Sequence, residues 1–195
     1  VNPLNDIHRA LATRTPVTAK TPGSAVAAIL QEGASPQLLF IERARVKGDP
    51  WSGDIAFPGG RVETSDADLR EAAERETREE IGLELRADHY LGRLDDLTTQ
   101  TFGIEVAAFV YRVEKANQLQ LNDEVTTAFW QPFSNLTDPA RQLSRTFANR
   151  GFSRHLPAID LLGPNRPLLW GITYRFVAQL MQLAGQPLPE TIEQA

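Results

Sequence analysis

The chain has 195 residues, of which 42% are hydrophobic, with a formal net charge of −5 and no cysteine. That length fits one domain with a full core, the missing thiols exclude disulfides, thiolate metal sites and a cysteine nucleophile, and the acidic balance disfavours a general nucleic-acid surface. No apolar run approaches the roughly 20 residues of a membrane span, and no secretory signal is visible, so the expected setting is cytoplasmic, with no membrane and no nucleic-acid partner.

Residues 1–22 form a polar arm with Pro16 and Pro22, in which Asn5 to Ala12 has the pattern of a short helix. Ser24 to Leu30 reads as a buried strand. Glu32 to Pro36 is a turn, and Gln37 to Ile41 is its hairpin partner. Lys47 to Gly53 is a loop, and Ile55-Ala56-Phe57 is a short apolar element running into Pro58-Gly59-Gly60. Leu69 to Ile81 is expected to be helical, with Asp66 or Asp68 as N-cap and Gly82 as the C-terminal stop. Tyr90 to Leu97, Ile104 to Val113 and Val125 to Trp130 read as strands, and Leu169 to Leu183 as a second amphipathic helix. The tail from Gln186 to Ala195 is expected to be flexible. Strands flanking two helices without regular βαβ alternation imply a mixed sheet between helices, in a single α/β domain spanning 1–195.

The first long helix carries the chemistry. At about 100° per residue, Leu69, Ala72 and Ala73 mark its core-facing side, and Glu76, Glu79 and Glu80 fall on that same side. Glu71, Arg75 and Glu79 are spaced by four, as are Glu74 and Arg78, which suits solvated ion pairs. Glu76 and Glu80 have no Lys or Arg three or four residues away and face each other. A half-buried carboxylate cluster needs an external cation or raised pKa values, and oxygen-only ligands suit Mg²⁺ or Mn²⁺. Gly59 and Gly60 leave the backbone free to approach a ligand, and a carbonyl there can complete a coordination shell. The bland alternative is an exposed charged helix.

Arg75-Glu76-Thr77-Arg78-Glu79-Glu80-Ile81-Gly82-Leu83 resembles the second half of the Nudix hydrolase box, with Thr77 where an aliphatic residue is usual. In the first half, the position of the usual glutamate falls on Ala67, and the nearest acid is Asp66, spaced correctly from Gly60; a one-residue insertion explains both. That variant, together with Leu39 to Ala44, Gly53 to Gly60 and Trp170 to Thr173, resembles the coenzyme A pyrophosphatase branch, although Asp49 stands where that branch has an arginine.

The resemblance implies a Nudix-type α/β/α sandwich and cleavage of a nucleoside diphosphate linked to another group. Coenzyme A or an acyl derivative is the expected substrate, giving 4′-phosphopantetheine and adenosine 3′,5′-bisphosphate. ADP-ribose, NADH or another nucleotide is the alternative, and a non-catalytic ligand-binding module a third reading that the intact glutamates disfavour. It further implies that Glu76, Glu79 and Glu80 hold Mg²⁺ or Mn²⁺ with the Gly60 carbonyl, that Glu79, Glu80 or Glu124 accepts the proton of the attacking water, and that a homodimer is possible. Arg43 and Arg61 are candidate phosphate ligands, Arg45 and Lys47 candidates for an additional 3′-phosphate. Arg75 is read as orienting the acidic turn through Glu71 and Glu79, Asp66 as a cap, Trp51 as core, and Phe102, Phe109 and Tyr111 as sheet packing. Residues Arg145 to Pro167 are expected to select the substrate. His8, His89 and His155 are scattered and form no metal-ligand spacing.

Overall fold

The computed structural model describes residues 2–100, 102–114, 118–149 and 152–190. In chain order the elements are α1 (Pro3–Thr13), β1 (Ser24–Gln31), β2 (Gln37–Arg43), β3 (Ile55–Ala56), β4 (Gly59–Arg61), α2 (Leu69–Ile81), β5 (Tyr90–Arg93), β6 (Leu97–Thr98), β7 (Glu105–Val113), β8 (Val125–Pro132), α3 (Phe133–Leu136), β9 (Gln142–Asn149), β10 (Phe152–Ile159) and α4 (Gly171–Leu183). Most strands join one mixed sheet whose central path runs β3-β2-β1-β7-β5, with β4 on β1, β6 on β7 and β8 on β2. The β1–β7 pairing is parallel and unbroken from Ser24 opposite Val106 to Gln31 opposite Val113.

β1 and β7 are apolar on both faces because both faces are covered. Ala25, Ala27 and Ile29 pack with Ala72, Ala73 and Ile81 of α2 on one side. Ala28 and Leu30 pack with Leu4, Ile7 and Leu11 of α1 and with Phe176, Val177 and Leu180 of α4 on the other. The result is the α/β/α sandwich expected. Two alanines of β1, Ala25 and Ala27, let α2 lie close to the sheet, which brings the carboxylates of its last turns to the β4 backbone.

Residues 1–22 are more than a polar arm, since the apolar face of α1 is buried. The expected strand over Tyr90 to Leu97 is interrupted. Asp95 accepts from Val17 N–H at 2.7 Å and pairs with Arg14, while Asp96 accepts from Ala19 N–H at 2.9 Å and from Arg93. These two acids leave the ladder to anchor the segment between α1 and β1. The second long helix begins at Gly171, two residues later than expected. Leu169 is held by two backbone hydrogen bonds to Ile159, at 2.8 and 3.0 Å, so it cannot join the helix. Within 145–167, where selecting loops are expected, the chain forms the antiparallel β9–β10 hairpin. Part of the expected flexible tail lies outside the described residues. No helix among the described residues is long and apolar enough to cross a membrane.

Gly59 has φ +148, and a Cβ there would stand 2.3 Å from the Ala25 carbonyl oxygen and 2.5 Å from Val26 Cα. Backbone strain and overpacking of the central strand add. Gly59→Ala should therefore lower unfolding stability by about 3 kcal/mol or more, read as a lower urea midpoint; a midpoint within error of the parent would refute this packing.

Candidate active site

Helix α2 starts where Asp68 Oδ1 accepts the Glu71 N–H at 2.8 Å and ends where Gly82 takes a left-handed conformation, φ 67°. Asp68 is thus the cap, and Asp66 has a different task. Its carboxylate accepts Arg75 Nε–H at 2.9 Å and Nη2–H at 3.1 Å, as well as the Glu63 N–H at 2.8 Å. Arg75, with Glu63 behind it, holds the Asp66 carboxyl below its usual pKa.

Arg75 is the hub of the acidic turn. It also reaches Glu76 at 3.0 Å, Glu79 at 3.2 Å and the Arg61 carbonyl at 3.1 Å. The expected partnership with Glu71 is absent; Glu71 instead accepts the Ala67 N–H. Nor does Glu74 pair with Arg78: it meets Arg70 at 3.3 Å and accepts the Tyr111 hydroxyl at 3.0 Å. Thr77 is buried, its hydroxyl donating back to the Ala73 carbonyl at 2.7 Å.

The three glutamates occupy three different environments. Glu80 is only 1% exposed, and its Oε2 accepts the Gly59 N–H at 2.9 Å. Burial pushes its pKa up to about 8, with Glu76 and Glu124 adding to the shift and Gly59 and Arg43 opposing it. Glu76 packs against Gly60 so closely that a Cβ there would meet its Oε1 at 2.5 Å. Its pKa is raised, first by burial and then by Glu79 and Glu124, against the pull of Arg75. Glu79 does not face the core: its side chain is 51% exposed. Among the described residues, no three acidic or histidine side chains stand close enough to hold one ion as they are placed. The carboxylates form an open acidic cleft against the β4 backbone, not a closed shell. Their chemistry nevertheless fits a hard cation, since the donors are all oxygen and the raised pKa values of Glu76 and Glu80 mark carboxylates whose ionised form the nearby arginines do not fully stabilise.

This cleft opens into a cavity of about 630 Å³. Glu76, Glu79, Glu124, Gly59 and Gly60 line it, as do Arg43, Arg61 and Arg75. Glu124 is exposed and stands just before β8, its backbone carbonyl accepting the Ala44 N–H at 2.8 Å. Arg43 is paired to Asp49 at 3.2 Å. Arg45 and Lys47 are not part of the cavity wall; Arg45 lies over Gly53 instead. Trp51 and Phe102, expected in the core and the sheet, form an edge-on pair at 5.1 Å and line the cavity. Phe102 is 40% exposed and lies beyond β6, outside any strand.

The far end of the cavity was not legible as a site. There Asp54 accepts Trp170 Nε1–H at 3.1 Å, and burial raises the Asp54 pKa to about 6. Trp170 stacks on Phe147 of β9 at 4.1 Å. Arg175, in the first turns of α4, also faces the cavity and donates to the Thr98 carbonyl at 2.9 Å. The motifs containing Asp54 and Trp170, and the expectation that Arg145 to Pro167 select the substrate, pointed to this wall but not to its contacts.

The NUDIX domain profile matches residues 21–152. Over 150 residues the chain is 30% identical to the mitochondrial coenzyme A diphosphatase NUDT8 of Homo sapiens, covering 76% of this chain and 63% of that protein. It is 28% identical over 179 residues to the uncharacterized Nudix hydrolase NudL of Salmonella dublin, covering 89% of this chain and 91% of that one. The chain thus spans somewhat less than two thirds of the human relative. Among solved structures, a MutT/nudix family protein from Enterococcus faecalis superposes with a TM-score of 0.57 at 15% identity, over 93% of this chain and 74% of that one. At that identity the likeness speaks for the fold alone.

The Glu80 environment has a measurable consequence in metal-free protein. Its pKa rises from the model-compound value of 4.5 to about 8 on folding. The bound proton therefore stabilises the fold fully below about pH 4.5, and that stabilisation is lost as the pH climbs through about 8. Relative to Glu80→Gln, the parent should lose roughly a few kcal/mol across this window in urea titrations. Parallel curves for the two proteins would show that Glu80 is not desolvated.

Proposed function

The chain belongs to the Nudix family, and on that footing we propose that it is a divalent-metal-dependent pyrophosphohydrolase whose preferred substrate is coenzyme A or an acyl derivative. The observation that carries this reading is the acidic wall of the 630 Å³ cavity, where Glu76, Glu79 and Glu124 stand with Gly59 and Gly60, while Glu80 is buried behind and bonded to Gly59 N–H. That volume lies within the roughly 300–1,000 Å³ typical of small-molecule sites. The name of the human relative supports the choice of coenzyme A.

Glu76, Glu79, Glu80 and the Gly60 carbonyl would hold Mg²⁺ or Mn²⁺. Such an ion neutralises pyrophosphate oxygens and lowers the pKa of a bound water. The protein's own groups do the rest. Gly59 N–H fixes one oxygen of the Glu80 carboxylate. Arg75 ties Glu76 and Glu79 to Asp66 and so keeps the acidic turn from splaying. Glu124 stands across the cleft, tethered by none of the α2 contacts, and is the group best able to accept a proton as water attacks. Arg43 and Arg61 offer positive charge to the phosphates, and the Trp51–Phe102 pair offers an aromatic wall for a base.

Incubation with coenzyme A, ADP-ribose and NADH in parallel, with Mg²⁺ or Mn²⁺, should release 4′-phosphopantetheine and adenosine 3′,5′-bisphosphate fastest by chromatography. Faster release of AMP from ADP-ribose or NADH would move the substrate to that class, and no turnover on any of them would sink the enzymatic reading. Glu80→Gln should keep the fold and lose on the order of a hundredfold or more in kcat. Near-normal turnover in that variant would displace the metal from Glu80.

A further inference from the structure

Behind the main cavity lies a second one of about 300 Å³, and Asp54 and Trp170 line both. The second cavity sits between the loop before β3, the end of β9 and the segment leading into α4. Pro50, Phe147, Ala148 and Leu168 give it an apolar wall, and no cation lines it. A phosphate is therefore unsuited to it, whereas a hydrocarbon chain is suited.

Trp170 and Asp54 stand between the two spaces. The Trp170 indole lies flat on Phe147, with centroids 4.1 Å apart and planes 7° apart, and its edge is held by the single hydrogen bond to Asp54 at 3.1 Å. The backbone beside it is fixed, because Leu169 is doubly bonded to Ile159. The stack on Phe147 and the hydrogen bond to Asp54 together hold the indole between the two spaces.

We propose that the smaller cavity is a subsite for the apolar acyl end of the substrate, reached past the Trp170 side chain that Asp54 holds in place. This rests on the coenzyme A reading above. It places the pyrophosphate at the acidic cleft and the thioester chain behind Trp170. Free coenzyme A needs only the main cavity, while a medium-length acyl chain needs both.

The test is the ratio of kcat/KM for octanoyl-coenzyme A to that for free coenzyme A. Ala148 is exposed on β9 and tolerates a larger residue without disturbing the core. Ala148→Trp fills the subsite and should lower the ratio at least tenfold. Trp170→Phe keeps the stack on Phe147 but removes the donor to Asp54, and should raise the ratio about threefold to tenfold, the worth of one such hydrogen bond. Hydrolysis of coenzyme A with a ratio that neither substitution moves would overturn the subsite while leaving the coenzyme A reading intact. Failure of the unaltered protein to hydrolyse either compound would remove the substrate reading and the subsite with it.

Discussion

The contact on which the site depends is that between the Gly59-Gly60 strand and the carboxylates of α2. Gly59 is wedged against the β1 backbone, where a Cβ would stand 2.3 Å from the Ala25 carbonyl oxygen. Gly60 is pressed on its other side by Glu76. A strand without side chains is the only kind that fits this gap. Because it fits, its N–H reaches the Glu80 carboxylate, and a helix end that would otherwise sit in water is pinned at the edge of the sheet. The small residues of β1 and α2, Ala25, Ala27, Ala72 and Ala73, serve the same end by letting helix and sheet approach.

That approach creates an electrostatic imbalance which the protein corrects only in part. Arg75 gathers Asp66, Glu76 and Glu79 around one guanidinium. The acid displaced by the one-residue insertion is therefore a brace for the arginine and not a cap of the helix. Glu80 is out of reach of this hub. Its nearest help is the Gly59 dipole and the more distant Arg43, whose own charge is shared with Asp49. Burial outweighs both, so ionisation is disfavoured at Glu80 and, despite Arg75, at Glu76, where a divalent cation would favour it. The same logic separates roles within the cluster. The most buried carboxylate is the worst suited to exchange protons with solvent, and the exposed Glu124 the best.

Much of this was readable in the residues, and the misses have physical causes. The limits of α2 follow from a side-chain acceptor at Asp68 and a left-handed glycine at Gly82, both local signals. The helical wheel placed Glu79 correctly beside Ala72, yet Glu79 is exposed, because its side chain opens on the cavity while Glu80 and Ile81 beyond it stay buried. Trp51 and Phe102 read as packing residues because large aromatic side chains are more often buried than displayed. Their contact joins two loops 51 positions apart, which no local pattern encodes. The β9–β10 hairpin was missed because it lies off the main sheet, with Arg145, Thr146 and Ala148 all exposed, so no two-residue alternation of burial marks it. Asp95 and Asp96 were the neglected cue, since adjacent acids inside an apparent strand are a reason for it to break.

The architecture divides chemistry from selection. The acidic cleft is built from β1, β4 and α2, which share one contiguous core and one backbone constraint. The opposite wall is assembled from the loop before β3, the β9–β10 hairpin and the start of α4, joined by the Phe147–Trp170 stack, the Trp170–Asp54 hydrogen bond and the Ile159–Leu169 bridge. None of these contacts touches Glu76, Glu79 or Glu80. Asp54 is one residue that joins the two halves, since it bonds Trp170 and lies five positions before Gly59 on the same stretch that forms β3 and β4. A change in the far wall can therefore alter what the cavity admits without moving the carboxylates. A change at Asp54, by contrast, propagates in both directions along the chain.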